Sequence, residues 1–173
     1  MQLGGIAVNG RLRCTVKGEL VEAWAVGDVA AFPLGSRGGL LGRVEHVHAA
    51  RLHAKHAVAS MLDPAGTPNL AYLPFLYMRA FEGTARPVLW QLHGLVEGDA
   101  QGAECVVIGS GDPKLGAFWV KEGQLVGLLL ESGSPEENAL LPGIAATRPR
   151  VTAAELRGGG SLERVLTLLA DRG

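Results

Sequence analysis

The stretch 23–30 constrains the fold of this chain more than any other. It begins as an apolar run, residues 23–26, whose alternating bulk predicts a buried strand. The run stops at Gly27-Asp28. A glycine there lets the backbone approach a ligand closely, and an aspartate beside it can accept hydrogen bonds from ligand hydroxyl groups. Because ligands bind at the carboxyl ends of strands in open α/β sheets, this stretch predicts a ligand site or, alternatively, an ordinary strand-to-turn junction.

The composition is typical of a globular protein. Hydrophobic residues make up 47% of the 173 residues and charged residues 19%, enough for a sizeable core. The net charge of −1 offers no basic field for nucleic acid, and no apolar run approaches the roughly 18 residues of a membrane span, so we expect neither partner. Cys14 and Cys105 lie far apart and the amino terminus lacks a secretory pattern, so we expect a reducing compartment.

The first third of the chain predicts one strand, one loop and one helix besides the Gly27-Asp28 stretch. Residues 4–10 indicate a brief strand with no upstream element to pair with, and 35–42 a glycine-rich loop. Residues 43–62 predict a helix, ended by the proline-containing linker 63–69. No carboxylate or cysteine joins His53 and His56 at ligand spacing, so we expect a solvated face there and no metal site.

The pattern changes after an aromatic-rich segment at 72–81. Two capping signatures, Ser134-Pro135-Glu136-Glu137 and Thr152-Ala153-Ala154-Glu155, predict helices, and Ser161 begins a last short one. The preceding residues predict an antiparallel sheet, with a tight hairpin at 121–124. The second part is thus expected to be α+β, with strands at 88–93, 104–108, 116–121 and 124–130.

Four blocks follow one another along the chain: residues 24–34 (WAVGDVAAFPL), 43–47 (RVEHV), 72–79 (YLPFLYMR) and 130–138 (LESGSPEEN). Taken in this order, they resemble the carboxyl-terminal part of the monodehydroascorbate reductases, a family of FAD-dependent enzymes akin to the pyridine nucleotide-disulfide oxidoreductases. Gly27-Asp28 is similar to the second flavin fingerprint of reductases with two dinucleotide-binding folds. The similarity covers roughly residues 4–151, with near-family separations between blocks.

The resemblance implies a division of the chain at the linker. Residues 1–67 would be the closing piece of an FAD-binding α/β domain. Residues 68–173 would be a C-terminal interface or dimerisation-like domain, an antiparallel sheet with helices that covers the flavin. The expected class is therefore α+β overall.

The resemblance also implies cofactor contacts. Gly27 and Asp28 match the FAD fingerprint, with Asp28 holding the ribityl chain, and Val47 matches a main-chain contact to FAD. Glu45 and His46 match positions that contact the nicotinamide end of NAD(P)H. Without the resemblance, Glu45 would be interpreted as an ordinary helix-surface charge.

Three further residues match substrate or catalytic positions. Tyr77 matches a catalytic aromatic at the flavin, near the nicotinamide as well, and Arg51 and Arg79 match contacts to ascorbate. Guanidinium groups suit this role because the monodehydroascorbate radical is an anion. The alternatives are that Arg51 is a surface charge, that Tyr77 is plain core, and that Arg79 covers apolar surface with its stem.

The implied reaction has two parts. NAD(P)H delivers a hydride to FAD, and the reduced flavin then gives single electrons to two monodehydroascorbate radicals, which regenerates ascorbate. The flavin is needed because it takes two electrons together and releases them singly, which no side chain does. Helix N-terminal amides directed at the flavin would stabilise negative charge on its reduced ring.

The sequence departs from the family chiefly by what it lacks. A complete reductase of this kind carries two GxGxxG motifs, and this chain has none in the required strand-to-helix context. Smaller departures are Leu76-Tyr77-Met78, an apparent insertion around 83–88 and an enlarged loop at 98–102. These leave the fine shape of the substrate pocket open.

Three hypotheses follow. In the first, the chain is a truncated fragment of the enzyme, inactive alone, whose partners are the missing FAD- and NAD-binding halves; an uncovered apolar edge around residues 1–30 would support it. In the second, it is an interaction or binding module that lost catalysis. In the third, it is a non-functional fragment. The expected compartment is the cytoplasm or the chloroplast.

Overall fold

The chain consists of two compact units, Met1–Tyr72 and Leu73–Gly173. The computed structural model describes residues 4–35, 38–95 and 100–173; part of the predicted loop 35–42 and of the enlarged loop 98–102 lies outside them. The first unit combines short strands with a long helix, and the second has a five-stranded antiparallel sheet followed by helices. The predicted α+β class is confirmed.

Short strands and one helix form the first unit. They are β1 (Ile6–Ala7), β2 (Arg13–Val16), β3 (Glu19–Trp24), β4 (Ala30–Pro33), β5 (Leu41–Gly42) and α1 (Val47–Leu62). The central strand β4 lies parallel to β1 and antiparallel to β5, whereas β2 and β3 form a separate antiparallel pair. The strand predicted near the amino terminus therefore finds its partner downstream.

The stretch predicted as one strand is interrupted at Gly27. β3 ends at Trp24, a short 3-10 helix covers Gly27–Val29, and β4 begins at Ala30. Gly27 has a φ of +69°, outside the range of a strand and accessible at low cost only to glycine. The chain therefore turns at Gly27 between two different sheets.

The helix α1 begins at Val47, later than predicted. His46 is extended, with φ −149° and ψ 136°, and its Nδ1 accepts the His48 N–H at 3.2 Å. This side-chain contact is that of an N-cap residue, which satisfies one of the unpaired amides at a helix start. Arg43 and Glu45 consequently precede the helix.

The core of the first unit contains a histidine. Phe32, Leu12 and Leu34 are fully buried, and His53 is 0% exposed beside them. The expectation of a solvated face at His53 is wrong, because the α1 residues that face inward include this side chain. Several apolar residues remain exposed instead, as expected for an uncovered apolar surface near residues 1–30: Ile6, Val16, Leu20, Val26 and Val29.

The second unit is built on a sheet with the strand order β6-β7-β10-β9-β8. Its elements are β6 (Phe75–Ala80), β7 (Val88–His93), β8 (Glu104–Gly109), β9 (Leu115–Lys121), β10 (Gln124–Glu131), α2 (Pro135–Thr147), α3 (Ala153–Gly158) and α4 (Leu162–Asp171). The four predicted strands are present with nearly the predicted ends. The edge strand β6 was not predicted; it lies within the aromatic-rich segment and pairs with β7.

The predicted hairpin joins β9 to β10. Glu122 and Gly123 both have positive φ, 52° and 72°, the conformation of a type I′ turn, and Gln124 pairs with Lys121. The positive φ values twist the chain in the sense that the flanking strands require.

The helices of the second unit start where their capping signatures predict. Ser134 Oγ accepts the Glu137 N–H at 3.2 Å while the Glu137 carboxylate accepts the Ser134 N–H at 2.8 Å, and Thr152 and Glu155 repeat this arrangement. Apolar residues of the sheet and of the three helices share one core, which includes Phe118, Leu125, Leu128, Leu141, Ile144, Leu156, Val165 and Leu166.

No helix in the described part of the chain is long and apolar enough to cross a membrane.

Candidate functional site

The Gly27-Asp28 turn places a carboxylate at the surface of the first unit. Gly27 is buried and Asp28 is exposed. A Cβ at Gly27 would lie 3.4 Å from the Ala50 Cβ of α1, so the turn backbone runs close to the helix. A carboxylate beside a glycine backbone can accept hydrogen bonds from a ligand rich in hydroxyl groups.

Two residues outside the predicted site hold this turn. The Gly27 N–H donates to His53 Nδ1 at 3.1 Å, and Arg43 Nε donates to the Asp28 carbonyl oxygen at 3.0 Å. Arg43 also forms an ion pair with Glu45 at 2.5 Å. Arg43 therefore links two of the predicted site residues, Asp28 and Glu45. Arg43 lies inside the RVEHV block, and its place in that block was the signal by which the sequence could have identified it as a site residue.

Three more predicted residues lie on the first turns of α1 or just before them. His46 caps the helix, Val47 is its first residue and is 61% exposed, and Arg51 is exposed one turn later. The first amides of a helix have no partner within it and carry partial positive charge, which favours an electron-rich ligand at this end. The structure thus brings these residues together at the start of one helix.

In the second unit, Tyr77 and Arg79 are hydrogen-bonded neighbours on β6. Arg79 Nε donates to the Tyr77 hydroxyl, and the guanidinium carbon lies 5.5 Å from the centre of the Tyr77 ring. Arg79 also pairs with Glu82 at 3.2 Å. Arginine is a permanent cation in proteins, and the hydrogen bond to Tyr77, followed by the contact with Glu82, raises the Arg79 pKa further.

A cavity of about 240 Å³ adjoins this cation. Arg79 and Glu82 line it together with Pro87, Val88 and Leu89. The cavity thus combines a cation and a carboxylate with an apolar wall, which is formed by Pro87 and the first two residues of β7. A cavity of this kind can hold a small polar molecule whose anionic edge faces Arg79. Glu82 was not predicted as a site residue, although its position three residues after Arg79 indicated a possible ion pair.

A buried histidine supports the base of β6. His93 on β7 is 5% exposed, lies tilted against Phe75 with 4.6 Å between ring centres, and pairs with Phe75 in the sheet. Burial lowers the pKa of His93 to about 4, so the ring is neutral near pH 7. Phe75 also lies 6.4 Å from the Tyr77 ring, which connects this neutral pair to the predicted catalytic aromatic.

Metal ligands do not gather in the described residues: no three His, Cys, Asp or Glu side chains there could hold an ion together. The side chains that can hold an organic cofactor are those at the Gly27-Asp28 turn and at the start of α1. Those that can hold a small anion lie on β6.

Sequence comparisons identify the second unit directly. The model of the monodehydroascorbate reductase 3-like C-terminal domain matches residues 73–162. The chloroplastic/mitochondrial monodehydroascorbate reductase of Arabidopsis thaliana is 45% identical over 168 residues, which cover 96% of this chain and 32% of that protein. Relatives from Oryza sativa subsp. japonica are named as chloroplastic and as peroxisomal monodehydroascorbate reductases.

Solved structures share the fold. A ferredoxin reductase from Rhodopseudomonas palustris matches 96% of this chain and 37% of its own with a TM-score of 0.71 at 24% identity. An FAD-dependent pyridine nucleotide-disulphide oxidoreductase from Desulfovibrio vulgaris matches 97% and 41% with a TM-score of 0.66 at 16% identity. At these identities the likeness establishes the fold alone.

The chain spans about a third of the length of the curated relatives above. The family model nevertheless covers more than half of this chain, and the fold is that of the FAD-dependent oxidoreductases. The resemblance noted in the four sequence blocks is confirmed. The chain belongs to the monodehydroascorbate reductase family of flavin oxidoreductases and contains that family's C-terminal domain.

Proposed function

We propose that this chain is the C-terminal portion of a flavin-dependent enzyme that uses NAD(P)H to reduce the monodehydroascorbate radical to ascorbate. Residues 1–67 close the FAD-binding domain, and residues 68–173 form the interface domain that covers the flavin. The observation that carries the proposal is the Arg79 guanidinium, held by the Tyr77 hydroxyl beside a cavity of about 240 Å³. A fixed cation at a concave surface suits a small organic anion.

The first unit has groups that fit FAD. The ribityl chain offers hydroxyl donors, and the exposed Asp28 carboxylate is an acceptor beside the Cβ-free backbone of Gly27. The start of α1, where Val47 is exposed, carries the partial positive charge of the helix dipole, which favours an anionic group. Bound FAD supplies the capacity to accept a hydride and to release the two electrons singly.

The remaining assignments concern where the chain's own side chains bind. Glu45 and His46 are assigned to the nicotinamide end of NAD(P)H, with Glu45 oriented by its ion pair with Arg43. Arg51 keeps the ascorbate-binding role that the resemblance implies. Val47 contributes its main chain, so its side chain can vary without loss of the contact.

On β6 the side chains orient the substrate anion. Arg79 Nε donates to the Tyr77 hydroxyl, so the two outer guanidinium nitrogens are the ones left to meet an anion. Glu82 takes one of these nitrogens, so an incoming anion has to compete with this carboxylate. Tyr77 is the group assigned to lie at the flavin.

We further propose that the partners of this chain are FAD- and NAD-binding segments of the same enzyme type, and that the chain alone is inactive. The exposed apolar residues near the Gly27-Asp28 turn, such as Val26 and Val29, support this because a group of such side chains on one surface marks a place where another protein segment can pack. The compartment proposed is the cytoplasm or the chloroplast, in keeping with a relative named as chloroplastic.

A chimera tests the proposal. The corresponding C-terminal third of the Arabidopsis thaliana relative is replaced by this chain, and NADH-dependent reduction of monodehydroascorbate is followed optically. We expect the chimera to retain flavin through gel filtration and to reduce the radical. Arg79→Gln should raise the KM for the radical at least about tenfold, since a charge-assisted hydrogen bond contributes roughly 1.5–3 kcal/mol.

Arg86→Gln is the matched control. Arg86 is exposed in the same unit and pairs with Asp112, outside the cavity lining. Its KM should equal that of the unsubstituted chimera. A chimera that folds and keeps its flavin but leaves the radical unreduced would overturn the proposed substrate. An isolated chain that retains FAD and is reduced by NADH would overturn the claim that it needs partner segments.

A further inference from the structure

The Gly27 amide points into the first unit. Gly27 is buried at the turn, and its N–H donates to His53 Nδ1 at 3.1 Å across 26 positions of the chain. A buried N–H without a partner is unfavourable by about as much as a lost hydrogen bond. Because Gly27 lies between β3 and β4, outside both strand ladders, its amide takes a side-chain acceptor at this place.

The His53 ring is held in place by aromatic neighbours. It is 0% exposed, its centre lies 4.5 Å from that of Phe32 at an interplanar angle of 79°, and it lies 6.1 Å from Tyr72 at 68°. Edge contacts with two rings leave little room for another rotamer. The direction of Nδ1 toward Gly27 is therefore fixed by packing as well as by the hydrogen bond.

The hydrogen bond also sets the state of the ring. Since Nδ1 accepts, the imidazole is neutral and its proton is on Nε2. Burial, and then the electrostatic influence of nearby His56, lower the His53 pKa and favour this neutral form. In the described part of the chain Nε2 is buried without a hydrogen-bond partner. An apolar side chain would avoid that unpaired nitrogen but could not accept the Gly27 amide.

Arg43 holds the opposite side of the same turn. Its Nε donates to the Asp28 carbonyl oxygen at 3.0 Å. The Gly27 amide and the Asp28 carbonyl thus each have a side-chain partner, one inside the unit and one at its surface. With both ends of the dipeptide fixed, the Asp28 side chain is left on the exposed face.

We propose that His53 is a positioning residue, whose Nδ1 fixes the Gly27-Asp28 backbone so that the Asp28 carboxylate is presented to a flavin. This inference rests on the proposed function, in which Asp28 binds FAD. His53 itself touches neither cofactor nor substrate in this arrangement; it acts through the Gly27 amide.

Hydrogen exchange of assigned amides in the full chain tests the inference. His53→Leu removes the acceptor, and we expect the Gly27 amide to exchange at least about tenfold faster, the equivalent of one hydrogen bond. His53→Asn returns an acceptor oxygen near the position of Nδ1 and should restore protection. His56→Leu is the matched control, because His56 lies one turn further along α1 and makes no bond to Gly27.

The pattern distinguishes positioning from general stability. Faster exchange confined to Gly27 and Asp28, with rescue by His53→Asn and no effect of His56→Leu, supports the inference. Equal Gly27 exchange in His53→Leu and the unsubstituted chain overturns it. Faster exchange throughout α1 and β4 without rescue by His53→Asn also overturns it, because His53 would then be a packing residue only.

Titration with FAD separates this inference from the proposed function. The NMR signals of the Gly27 and Asp28 amides detect binding even when the Kd is in the millimolar range. We expect FAD to shift both signals, and we expect the apparent Kd for FAD to be at least about tenfold higher in His53→Leu. Signals that FAD leaves unshifted in the unsubstituted chain would overturn the flavin assignment of the proposed function, and with it the ligand named here. The exchange pattern would still decide whether His53 holds the turn.

Discussion

The two units use their apolar residues differently. In the second unit, a five-stranded sheet and three helices share one continuous core around Phe118 and Leu128. The first unit has only small sheets and leaves large apolar side chains such as Leu62 exposed. The comparison teaches that the second unit buries its apolar residues in one core of its own. The first unit is organised around one turn and around surface that another protein segment can cover.

The largest effect is expected in the core of the second unit. Phe118 on β9 is fully buried, and Phe118→Ala should lower the free energy of unfolding by about 3–5 kcal/mol, since it removes apolar burial and leaves a cavity. Urea unfolding followed by circular dichroism measures this loss. Val107→Ala, at an exposed position of neighbouring β8, should change it by less than about 0.5 kcal/mol. Equal losses would contradict the described core.

A pH series sharpens the comparison, since each unit buries one histidine. His93 has a folded pKa of about 4 against 6.5 unfolded, so the unfolded chain binds the extra proton first. The contribution of His93 to the free energy of unfolding is complete above pH 6.5 and is lost as the pH falls toward 4. The total loss is up to about 3 kcal/mol. Urea unfolding between pH 7 and 4 measures it.

His93→Gln should remove this part of the pH dependence, because it has no proton to gain. His48→Gln, at an exposed position of α1, should leave the slope unchanged. A slope that survives in His93→Gln would assign the dependence to other groups, His53 among them, whose pKa is also lowered by burial.

The third effect concerns helix starts in the second unit. Ser134→Ala removes the acceptor for the Glu137 N–H at the start of α2 and should lower the free energy of unfolding by about 1 kcal/mol. Ser134→Asp keeps an acceptor there and should lose little. Thermal unfolding by calorimetry measures both variants. If alanine and aspartate behave alike, the cap does not contribute to stability.

The smallest effect is expected in the first unit. Leu62 at the end of α1 is 82% exposed, so Leu62→Ser should change the free energy of unfolding by less than about 0.5 kcal/mol. Calorimetry measures the change, and sedimentation velocity checks for self-association. A loss above 1 kcal/mol would mean that Leu62 is covered in solution and would break the comparison between the units.

Local signals in the sequence were enough for much of the second unit. Period-2 patterns, the turn at Glu122-Gly123 and the serine and threonine caps act over a few residues, and their elements were confirmed. The strand β6 was missed because its residues Leu76, Tyr77 and Met78 are all partly exposed and show no alternation. An edge strand can take this pattern because only one neighbour pairs with it.

The site was less accessible to sequence reasoning. The residue types at Gly27-Asp28 pointed to a ligand site or a turn. The specific binding roles of Gly27, Asp28 and Arg79 came from the family resemblance, and these roles stay predictions. The partners His53, Arg43 and Glu82 were missed. His53 accepts an amide 26 positions away, and the periodicity of α1 does not encode such a tertiary contact. The solvated face was expected at His53 because no carboxylate or cysteine joins it at ligand spacing.

The place of β6 at the edge of its sheet has an evolutionary consequence. Tyr77 and Arg79 project from a strand with one paired neighbour, at a distance in the strand order from the β9 and β10 residues that fill the core. Under the proposed assignment of Tyr77 and Arg79 to the substrate site, substitutions there would change which molecule is recognised with little loss of core packing. Selection for a new substrate is therefore free to act on this strand while the scaffold is inherited intact.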